Sequence, residues 1–492
     1  MLRYSHGMRA LCLFSIVLCV CFAQTRSVTD AEVQRIHRSM LLIDTHNDIT
    51  SRTVDGYDIG KNQNDGHTNV TSLKDGGVGA QFFAVYVASS YVTGNRSAHR
   101  TLEMIDTVRH DIVERYPNDF ALATTADDIE RIHKQGKIAA LMGIEGGHAI
   151  EDNLGLLRDY FDLGIRYMTL THTNTNSWAD SSGDIDKPGV EHHNGLTPFG
   201  KQVVREMNRL GMTIDISHTA DKTFWDALAT SSAPIIASHS SCRALCNVPR
   251  NMTDQMIAAL AKKGGVIQIN FNCGFLSEKS AAAAKTVQDS RLPGAAGEDA
   301  TIAEYRKKVP PATLEDVVAH IDHAVKIGGM DAVGIGSDFD GVYCTPRGLE
   351  DVSKFPNLTR ALLEKGYSAD DIRKIYGGNT LRAMRAVEAE ARREQAEKKP
   401  ASLAKFVDRR GLIRTNAPGR DLREVIIFPA DRFSRQAPQQ RDLANMSKRV
   451  GYGTLQEHLR RRMQWPVCRH IRIERFERGK EPIRFLAPRQ RR

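Results

Sequence analysis

Eight short apolar runs recur between about residue 30 and residue 390, and they are the feature that most limits the possible folds. The runs are rich in Val, Ile and Phe with little polar alternation, as expected for strands buried on both faces of a parallel sheet. Amphipathic segments of helical period separate them. Eight such units predict an α/β fold, a (β/α)8 barrel of the TIM type. A doubly wound open sheet is the alternative.

The runs predict strands and the amphipathic segments predict helices. The predicted strands are residues 41–46, 80–87, 138–145, 165–172, 213–218, 235–239, 266–271 and 332–338. The predicted helices include residues 98–116, 153–163, 198–210, 253–263 and 314–327. Residues 277–311 form an Ala-rich excursion after the seventh strand, which we expect to be a lid or a surface hairpin.

Six of the predicted strands end in an ionisable residue. These endings are His46, Glu145, His172, His218, His239 and Asp338. Because the C-terminal ends of all strands meet at one rim of a (β/α)8 barrel, we expect the six side chains to face a common active site. An open sheet gives no reason for this pattern.

The residue types at this rim fit a centre for divalent metal ions. His46 and Asp48 lie two residues apart, so at a strand end they point the same way, while His218 and His239 close two further strands. Neutral imidazoles and carboxylates suit zinc and related ions. With Glu145 included, the five ligands exceed what one tetrahedral zinc needs. The sequence therefore predicts two ions bridged by Glu145, with a shared hydroxide that attacks a carbonyl.

Further residues are candidates for the chemistry on the substrate. Asp338 lies in Gly-Ile-Gly-Ser-Asp-Phe-Asp-Gly and is a candidate to take a proton from the bridging water and pass it to the leaving amine. Asp340, two residues later, is the alternative for that role. His172 is a candidate to stabilise an oxyanion, and Arg250 is a candidate to pair with a substrate carboxylate.

The motifs that carry these residues resemble those of the membrane (renal) dipeptidase family, peptidase family M19, a branch of the metal-dependent amidohydrolases. They are Ile-Asp-Thr-His-Asn-Asp, Gly-Ile-Glu-Gly-Gly-His, the stretch from Thr-His to Trp-Ala-Asp, Asp-Ile-Ser-His, Ala-Ser-His-Ser-Ser and Gly-Ser-Asp-Phe-Asp-Gly, in family order. The likeness covers about residues 28–390. It implies two zinc ions per chain, with the ligands His46, Asp48, Glu145, His218 and His239 and with Glu145 as the bridge.

The same resemblance implies an activity. Asp338 would be the acid/base, and His172 and Arg250 would hold the substrate. The implied reaction is the hydrolysis of dipeptides, often with tolerance of a D-residue at the C-terminal position, and in some members the opening of β-lactam rings. Family members are often homodimers. This chain departs from some animal members, which have a cysteine where it has Asn174.

The formal net charge of +9 is distributed unevenly along the chain. Residues 391–492 contain 27 Lys and Arg against 11 Asp and Glu, which leaves a net charge of −7 on the rest. This tail lacks sustained periodicity, and we expect a loosely ordered basic extension of the barrel domain, which covers residues 28–390. A small appended module is the alternative, because residues 424–428 and 470–476 have some strand character. No nucleic-acid partner is expected, because only the tail would support one.

The N-terminus predicts export from the cytoplasm. Arg3 and Arg9 precede an apolar run, residues 10–22, that is too short to span a bilayer comfortably. A signal peptide over residues 1–23 is therefore expected, and with it a secreted or periplasmic protein; an uncleaved anchor is the alternative. After cleavage we expect no transmembrane segment, and the C-terminus has no lipid-anchor signal.

Cysteine usage excludes a disulfide scaffold. Five of the eight cysteines remain after signal cleavage, an odd and sparse set. Export permits one disulfide bond, and Cys246 with Cys273 is the predicted pair.

Two other functions are open on the same barrel. One is a different binuclear amidohydrolase, such as a deaminase, a lactonase or a β-lactam hydrolase. The other is a catalytically idle binding protein. The complete set of metal-ligand residue types argues against the second, and Arg250 favours a substrate with a free carboxylate over the first.

Overall fold

The structure is a computed structural model that describes residues 27–61, 66–289 and 295–397, together with two short strands, Arg472–Ile473 and Phe485–Leu486. The chain divides into two compact units, Met1–Glu397 and Lys398–Arg492. In the second unit the two short strands pair antiparallel. The first unit contains the barrel.

The first unit is built on a closed parallel sheet, as the apolar runs predict. Its strands are β1 (Leu42–Asn47), β2 (Val78–Tyr86), β3 (Phe120–Leu122), β4 (Ile138–Glu145), β5 (Ile165–Thr169), β6 (Thr213–Asp215), β7 (Ile235–Ser240), β8 (Val266–Ile269) and β9 (Val333–Ile335). Each strand pairs with its neighbour in parallel, β1 pairs with β9, and β2 pairs directly with β4. Eight strands therefore close the barrel, and β3 lies beside β4 as an additional strand.

Helices surround this barrel. They are α1 (Asp30–Arg38), α2 (Thr50–Thr53), α3 (Val70–Asp75), α4 (Ser97–Thr107), α5 (Ala126–Lys134), α6 (Leu154–Asp162), α7 (Pro198–Leu210), α8 (Asp221–Thr230), α9 (Asp254–Lys262), α10 (Cys273–Leu276), α11 (Glu278–Asp289), α12 (Ala295–Lys308), α13 (Leu314–Gly328), α14 (Phe355–Lys365), α15 (Ala369–Arg373) and α16 (Asn379–Glu397). The (β/α)8 barrel predicted from the sequence is confirmed.

The barrel strands are buried along their length. Every residue of β1, β4 and β7 is buried, because helices cover the outer face of the sheet and side chains fill the inner face. This explains why the strands lack polar alternation in the sequence. The polar residues that do occur in them are therefore in positions where each polar atom needs a partner.

Several strands end earlier than the sequence predicts. The predicted strand 165–172 ends at Thr169, the strand 213–218 ends at Asp215, and the strand 332–338 ends at Ile335. Two of the residues beyond these ends, His218 and Asp338, have a φ of 64°. That value belongs to the left-handed region and is incompatible with a continuing strand. These site residues therefore lie in the loops that follow the strands.

The local signals for helices explain most of the helix boundaries. α7 has the predicted bounds: Thr197 caps its first turn, Pro198 begins it, and Gly211 ends it with a φ of 87°. The predicted helix 98–116 instead divides into α4 and a π-helical segment, Val108–Glu114. A buried side chain every third or fourth residue does not distinguish these two helix types.

The excursion after the seventh predicted strand contains two helices, α11 and α12. Residues 290–294 between them are outside the described part of the chain. Ala284 and Val287 of α11 form a small apolar cluster with Tyr305 of α12 and with Val309, and Cys344 packs against this cluster. The Tyr305 ring also stacks edge-on against Tyr343, with centroids 5.7 Å apart. The segment is thus packed against the loop that follows β9.

Other expectations concern the ends of the chain. The last helix, α16, runs to Glu397, past residue 390 where the sequence places the end of the barrel domain. The signal peptide over residues 1–23 lies outside the described residues and stays a prediction, as do export, the homodimer and the absence of a nucleic-acid partner. Within the described residues no helix is both long and apolar enough to cross a membrane.

The predicted disulfide bond is wrong. Cys273 pairs with Cys344, with Cα atoms 5.6 Å apart, and Cys246 is a buried free thiol like Cys242. β8 and β9 are neighbours in the barrel, so the loops after them lie side by side and bring Cys273 and Cys344 together. Cys246 follows β7 and instead contacts the carbonyl oxygen of Gly274. Sequence spacing alone does not reveal this arrangement.

We expect loss of this bond to lower the free energy of unfolding. Replacing both Cys273 and Cys344 by Ala should cost about 2–4 kcal/mol, because the bond closes a long loop in the unfolded chain. Chemical denaturation of the oxidised proteins measures the difference. In the wild type, a reductant should lower the stability similarly. A non-reduced peptide map that links Cys246 to Cys273 would contradict the assignment.

Candidate metal centre

One carboxylate oxygen lies at the middle of the barrel rim. Oε1 of Glu145, at the end of β4, lies 2.9 Å from Nε2 of His218, 3.2 Å from Nε2 of His239 and 3.6 Å from Nε2 of His46. The Nε2 atom of His172 lies 3.7 Å from the same oxygen. Four imidazoles from four separate parts of the chain therefore surround one buried carboxylate.

The remaining predicted ligand, Asp48, lies on the side of His46. Its Oδ2 atom is 3.2 Å from His46 Nε2. On the other side, Nε2 of His218 and Nε2 of His239 are 3.0 Å apart. The candidate ligands thus form two groups with Glu145 between them. The rings of His46 and His239 connect the groups, stacked with centroids 3.8 Å apart.

The hydrogen bonds of His46 determine which of its nitrogens faces the site. The hydroxyl of Tyr167 lies 2.8 Å from His46 Nδ1 and 3.1 Å from the carbonyl oxygen of Thr45. A carbonyl can only accept, so the single hydroxyl proton goes to Thr45 and His46 Nδ1 must donate to Tyr167. In the neutral ring Nε2 therefore carries the lone pair and faces Asp48 and Glu145, and it has no hydrogen-bond partner.

His239 is held in the same way by a different hydroxyl. Its Nδ1 atom lies 2.7 Å from Oγ of Ser238, and that hydroxyl donates to Oδ2 of Asp215 at 2.6 Å. His239 Nδ1 then donates to Ser238, which leaves its Nε2 lone pair facing Glu145. Ligating histidines in metalloproteins are commonly fixed by such a donor interaction at the other ring nitrogen.

The electrostatics favour positive charge at the centre. Burial acts to raise the pKa of Glu145, but His46 and His172 oppose it and hold this pKa well below its usual value. Burial acts to lower the pKa of His46, but Tyr167, Asp48 and Glu145 hold it well above its usual value. The carboxylates at this site thus attract a proton to His46 Nε2, and a metal ion competes with that proton for the same lone pair.

The other histidines are poised as neutral ligands. Burial lowers the pKa of His218 and that of His239 well below the usual value, and Arg250 contributes to both shifts. Neutral imidazole is the form that coordinates a metal ion. The donor set therefore fits divalent zinc or a similar ion. Three groups of residues bring their donor atoms close enough together to hold a metal ion. They are His46, Glu145 and His239; Glu145, His172 and His218; and His46, Asp48 and Asp338.

Asp338 lies beside Asp48 at the edge of this cluster. Burial raises the pKa of Asp338 well above its usual value, with Asp48 and Glu145 adding to the effect and His46 opposing it. Its Oδ2 atom accepts a hydrogen bond of 2.8 Å from Nδ2 of Asn270. A carboxyl group with a raised pKa can hold and release a proton near neutral pH, as an acid/base requires.

The alternative acid/base, Asp340, faces a different part of the structure. Its Oδ1 atom accepts from the backbone N–H of His67 at 3.0 Å, and its own N–H donates to Nδ1 of His67 at 2.9 Å. The Arg52 guanidinium lies 3.9 Å from the same carboxylate. Asp340 belongs to none of the groups of close donor atoms, so the geometry favours Asp338.

The left-handed backbone at His218 and Asp338 is held by hydrogen bonds. The carbonyl oxygen of His218 accepts from the backbone N–H of Ser182 at 2.8 Å and from Oγ1 of Thr171 at 3.0 Å. The N–H of Asp338 donates to the carbonyl oxygen of His46 at 3.1 Å. Such conformations cost of order 1–3 kcal/mol and persist where the surroundings enforce them, often at functional sites.

His172 and Arg250 face the centre from its more open side. The His172 side chain is 15% exposed, against 0% for His46 and His239. Its ring lies 4.4 Å from the ring of His218. Arg250 donates from Nη1 to Oγ of Ser240, while its Nε and Nη2 atoms are buried and have no partner. The structure thus brings together all eight predicted site residues.

Several neighbours of the site were missed in the sequence. Asn270 and Tyr167 contact Asp338 and His46, and Asp215 contacts the serine before His239. Asn270 could have been predicted from the sequence. It is a polar residue near the end of a predicted strand, and six of the other predicted strands end in an ionisable residue of the site. Tyr167 lies within a strand and could not have been predicted in this way.

Comparisons with known proteins agree with this site. The chain matches the model of the membrane dipeptidases, peptidase family M19, over residues 30–398. It is 36% identical over 363 residues to dipeptidase verJ of Clonostachys rogersoniana, a match that covers 70% of this chain and 84% of the relative. The protein therefore belongs to the membrane dipeptidase family and is a hydrolase of peptide bonds.

Solved structures of peptidases are also similar to this chain. The probable dipeptidase PvdM of Pseudomonas aeruginosa is 27% identical, with a TM-score of 0.66, over 73% of this chain and 98% of that chain. A metallo peptidase of Rhodobacter sphaeroides, liganded with a phosphinate mimic of the dipeptide L-Ala-D-Ala, is 25% identical, with a TM-score of 0.59, over 71% and 99%. The family membership supports a metal-dependent enzyme and argues against an idle binding protein.

Gly341 provides a test of the acidic side of the site. A methyl group there would come within 2.4 Å of both Oδ1 of Asp338 and Oδ2 of Asp48. We expect Gly341→Ala to displace these carboxylates and lower kcat/KM by about 100-fold, the usual scale for a misplacement of about 1 Å.

Steady-state kinetics and thermal unfolding of the purified variants measure this effect. Gly378→Ala is the control, because a methyl group there meets nothing closer than 3.3 Å beyond its chain neighbours. A Gly341→Ala protein with wild-type kinetics would show that the two carboxylates are not constrained as described.

Proposed function

We propose that this protein hydrolyses dipeptides at a centre for two zinc ions held by His46, Asp48, Glu145, His218 and His239. The observation that carries the proposal is the position of Glu145 Oε1, within 3.6 Å of imidazole nitrogens on both sides of the site. Two divalent ions bound here would supply an activated water and polarise the scissile carbonyl.

The two groups of donors support a division of the ligands. His46 and Asp48 would serve one ion, because their donor atoms are 3.2 Å apart. His218 and His239 would serve the other, because their Nε2 atoms are 3.0 Å apart. Glu145 offers two carboxylate oxygens and lies between the groups, so it would contact both ions. Side chains that converge this closely without a cation would leave lone pairs facing each other.

Arg250 would bind the free carboxylate of the substrate. Its Nε and Nη2 atoms are buried without an acceptor, and buried N–H groups without acceptors are costly unless a ligand supplies them. A carboxylate can pair with such a group in bidentate fashion. Arg250 donates from Nη1 to Oγ of Ser240 at 2.8 Å, and Ser240 directly follows His239, so the guanidinium lies close to the reacting centre.

Asp338 and His172 would act on the reacting groups. Asp338, with its raised pKa, would accept a proton from the attacking water at Oδ1, since Asn270 occupies its Oδ2 atom, and would deliver that proton to the leaving amine. Burial lowers the pKa of His172, so its imidazole is neutral near pH 7. A neutral imidazole protonated at Nε2 can donate to the oxyanion that forms from the scissile carbonyl.

A D-residue at the C-terminal position of the substrate is part of the proposal. The Rhodobacter sphaeroides relative is liganded with a mimic of L-Ala-D-Ala. Arg250 would pair with the carboxylate of the last residue, a group that L- and D-residues share. We therefore expect both L,L and L,D dipeptides to be substrates.

Metal removal tests the proposed centre. We expect a chelator to abolish dipeptide hydrolysis and Zn²⁺ to restore it, with two equivalents of zinc per chain in the active protein. Elemental analysis and turnover of L-Ala-L-Ala and L-Ala-D-Ala measure both quantities. His218→Ala should lower the zinc content, since it removes a ligand. Undiminished hydrolysis by metal-free protein would disprove the proposal.

The role of Arg250 can be tested with paired substrates. We expect Arg250→Met to lower kcat/KM for a dipeptide by about 10- to 100-fold, because a hydrogen bond to a charged group contributes about 1.5–3 kcal/mol. For the amide of the same dipeptide, which lacks the carboxylate, the variant should differ little from the wild type. Equal losses on both substrates would mean that Arg250 has a structural role only.

A further inference from the structure

Two fully buried carboxylates, Asp215 and Asp44, make nearly the same set of hydrogen bonds at different places in the barrel. Asp215, at the end of β6, accepts from the backbone N–H of Ser238 at 2.8 Å and from the Ser238 hydroxyl at 2.6 Å. Asp44, in β1, accepts from the backbone N–H of Ser337 at 2.8 Å and from the Ser337 hydroxyl at 2.6 Å. Both aspartates are 0% exposed.

In each case the serine immediately precedes a residue of the candidate metal centre. Ser238 precedes His239, and Ser337 precedes Asp338. Each aspartate therefore binds, through both oxygens, the residue next to a site residue on the neighbouring strand or its loop. A bidentate contact of this kind fixes the position and the rotation of the peptide that carries the site residue.

The two serine hydroxyls differ in the further atoms that they contact. The Ser238 hydroxyl also accepts from Nδ1 of His239, so Asp215 determines the ring nitrogen that His239 presents to the centre. The Ser337 hydroxyl makes no described hydrogen bond to the Asp338 side chain and lies 3.3 Å from the carbonyl oxygen of His46. Asp44 also accepts a long hydrogen bond of 3.5 Å from the backbone N–H of His46. Asp44 therefore acts on the backbone that carries Asp338 and His46 and reaches no ring nitrogen of a metal ligand. Asp338 needs that support, because its φ of 64° is a strained conformation for a residue with a side chain.

We propose that Asp215 and Asp44 are positioning residues with separate tasks: Asp215 orients the metal ligand His239 through Ser238, and Asp44 holds Asp338 in place through Ser337. The proposal rests on the proposed function, because it takes His239 as a ligand and Asp338 as the acid/base. Neither carboxylate touches the substrate, so neither is a catalytic residue.

Metal affinity tests the task of Asp215. Zn²⁺ is titrated into metal-free wild type, Asp215→Asn and Ser238→Ala in competition with a chromophoric chelator. We expect both variants to bind zinc about 10- to 100-fold more weakly, the usual cost of removing a partner behind a metal ligand. The visible absorption of the Co²⁺-loaded proteins should also change, because that spectrum reports the ligand geometry. Wild-type affinity and spectrum in both variants would overturn this task.

The kinetics of the zinc-loaded enzyme test the task of Asp44. We expect Asp44→Asn and Ser337→Ala to keep two zinc ions per chain and the wild-type KM for a dipeptide, while kcat falls by about 10-fold or more. Such a split indicates a displaced acid/base rather than a damaged binding site. An unchanged kcat, or a loss of zinc affinity as large as in Asp215→Asn, would overturn it.

A matched control separates these tasks from a general loss of stability. Glu206 is also a buried carboxylate, paired with Arg158 at 3.0 Å and Arg209 at 2.7 Å on the outer helices. Glu206→Gln should lower the unfolding temperature but leave zinc affinity and kcat unchanged. Should an aspartate variant fail to fold, the serine variants, which lose only a hydroxyl, carry the test. Wild type that binds no zinc would instead refute the proposed function.

Discussion

The buried carboxylate of Glu145 is the interaction on which the rest of the structure depends. A charge removed from water is costly unless other groups compensate it, and here four imidazoles lie within 3.7 Å of one of its oxygens. No single segment of chain can supply four histidines in this geometry. A closed barrel does so, because each strand delivers one or two side chains to a common rim.

Compensation at the centre creates a second requirement, since every histidine and carboxylate there needs support on its far side. Hydroxyl groups supply it for two of the histidines: the phenol of Tyr167 lies behind His46, and the Ser238 hydroxyl lies behind His239. Each hydroxyl donates its one proton to a carbonyl or carboxylate oxygen, so it can only accept from the histidine ring, and the direction of both hydrogen bonds is fixed. The site is therefore organised by buried polar groups within the barrel wall as much as by the ligands themselves.

The sequence predicted the barrel, and it indicated the residues that the barrel brings together at the candidate centre, for one physical reason. Strands buried on both faces leave few polar positions, so His46, Glu145 and His239 were conspicuous at the ends of apolar runs. The partners behind them were not conspicuous, because Tyr167 and Asp215 become neighbours of the candidate ligands only when strands pair. The left-handed backbone at His218 and the pairing of Cys273 with Cys344 also depend on tertiary neighbours. The sequence therefore predicted the end of β6 too late and predicted the wrong disulfide bond.

The direct pairing of β2 with β4 has a consequence for how such a chain can change. Seven consecutive residue pairs join these strands, from Ala80 with Ala139 to Tyr86 with Glu145. The intervening residues, including β3 and α4, thus form a long connection on the outside of the barrel wall. Their length can vary during evolution without altering strand register, and Glu145 stays opposite Tyr86. This connection is therefore a natural place for relatives to acquire insertions while they keep the same chemistry.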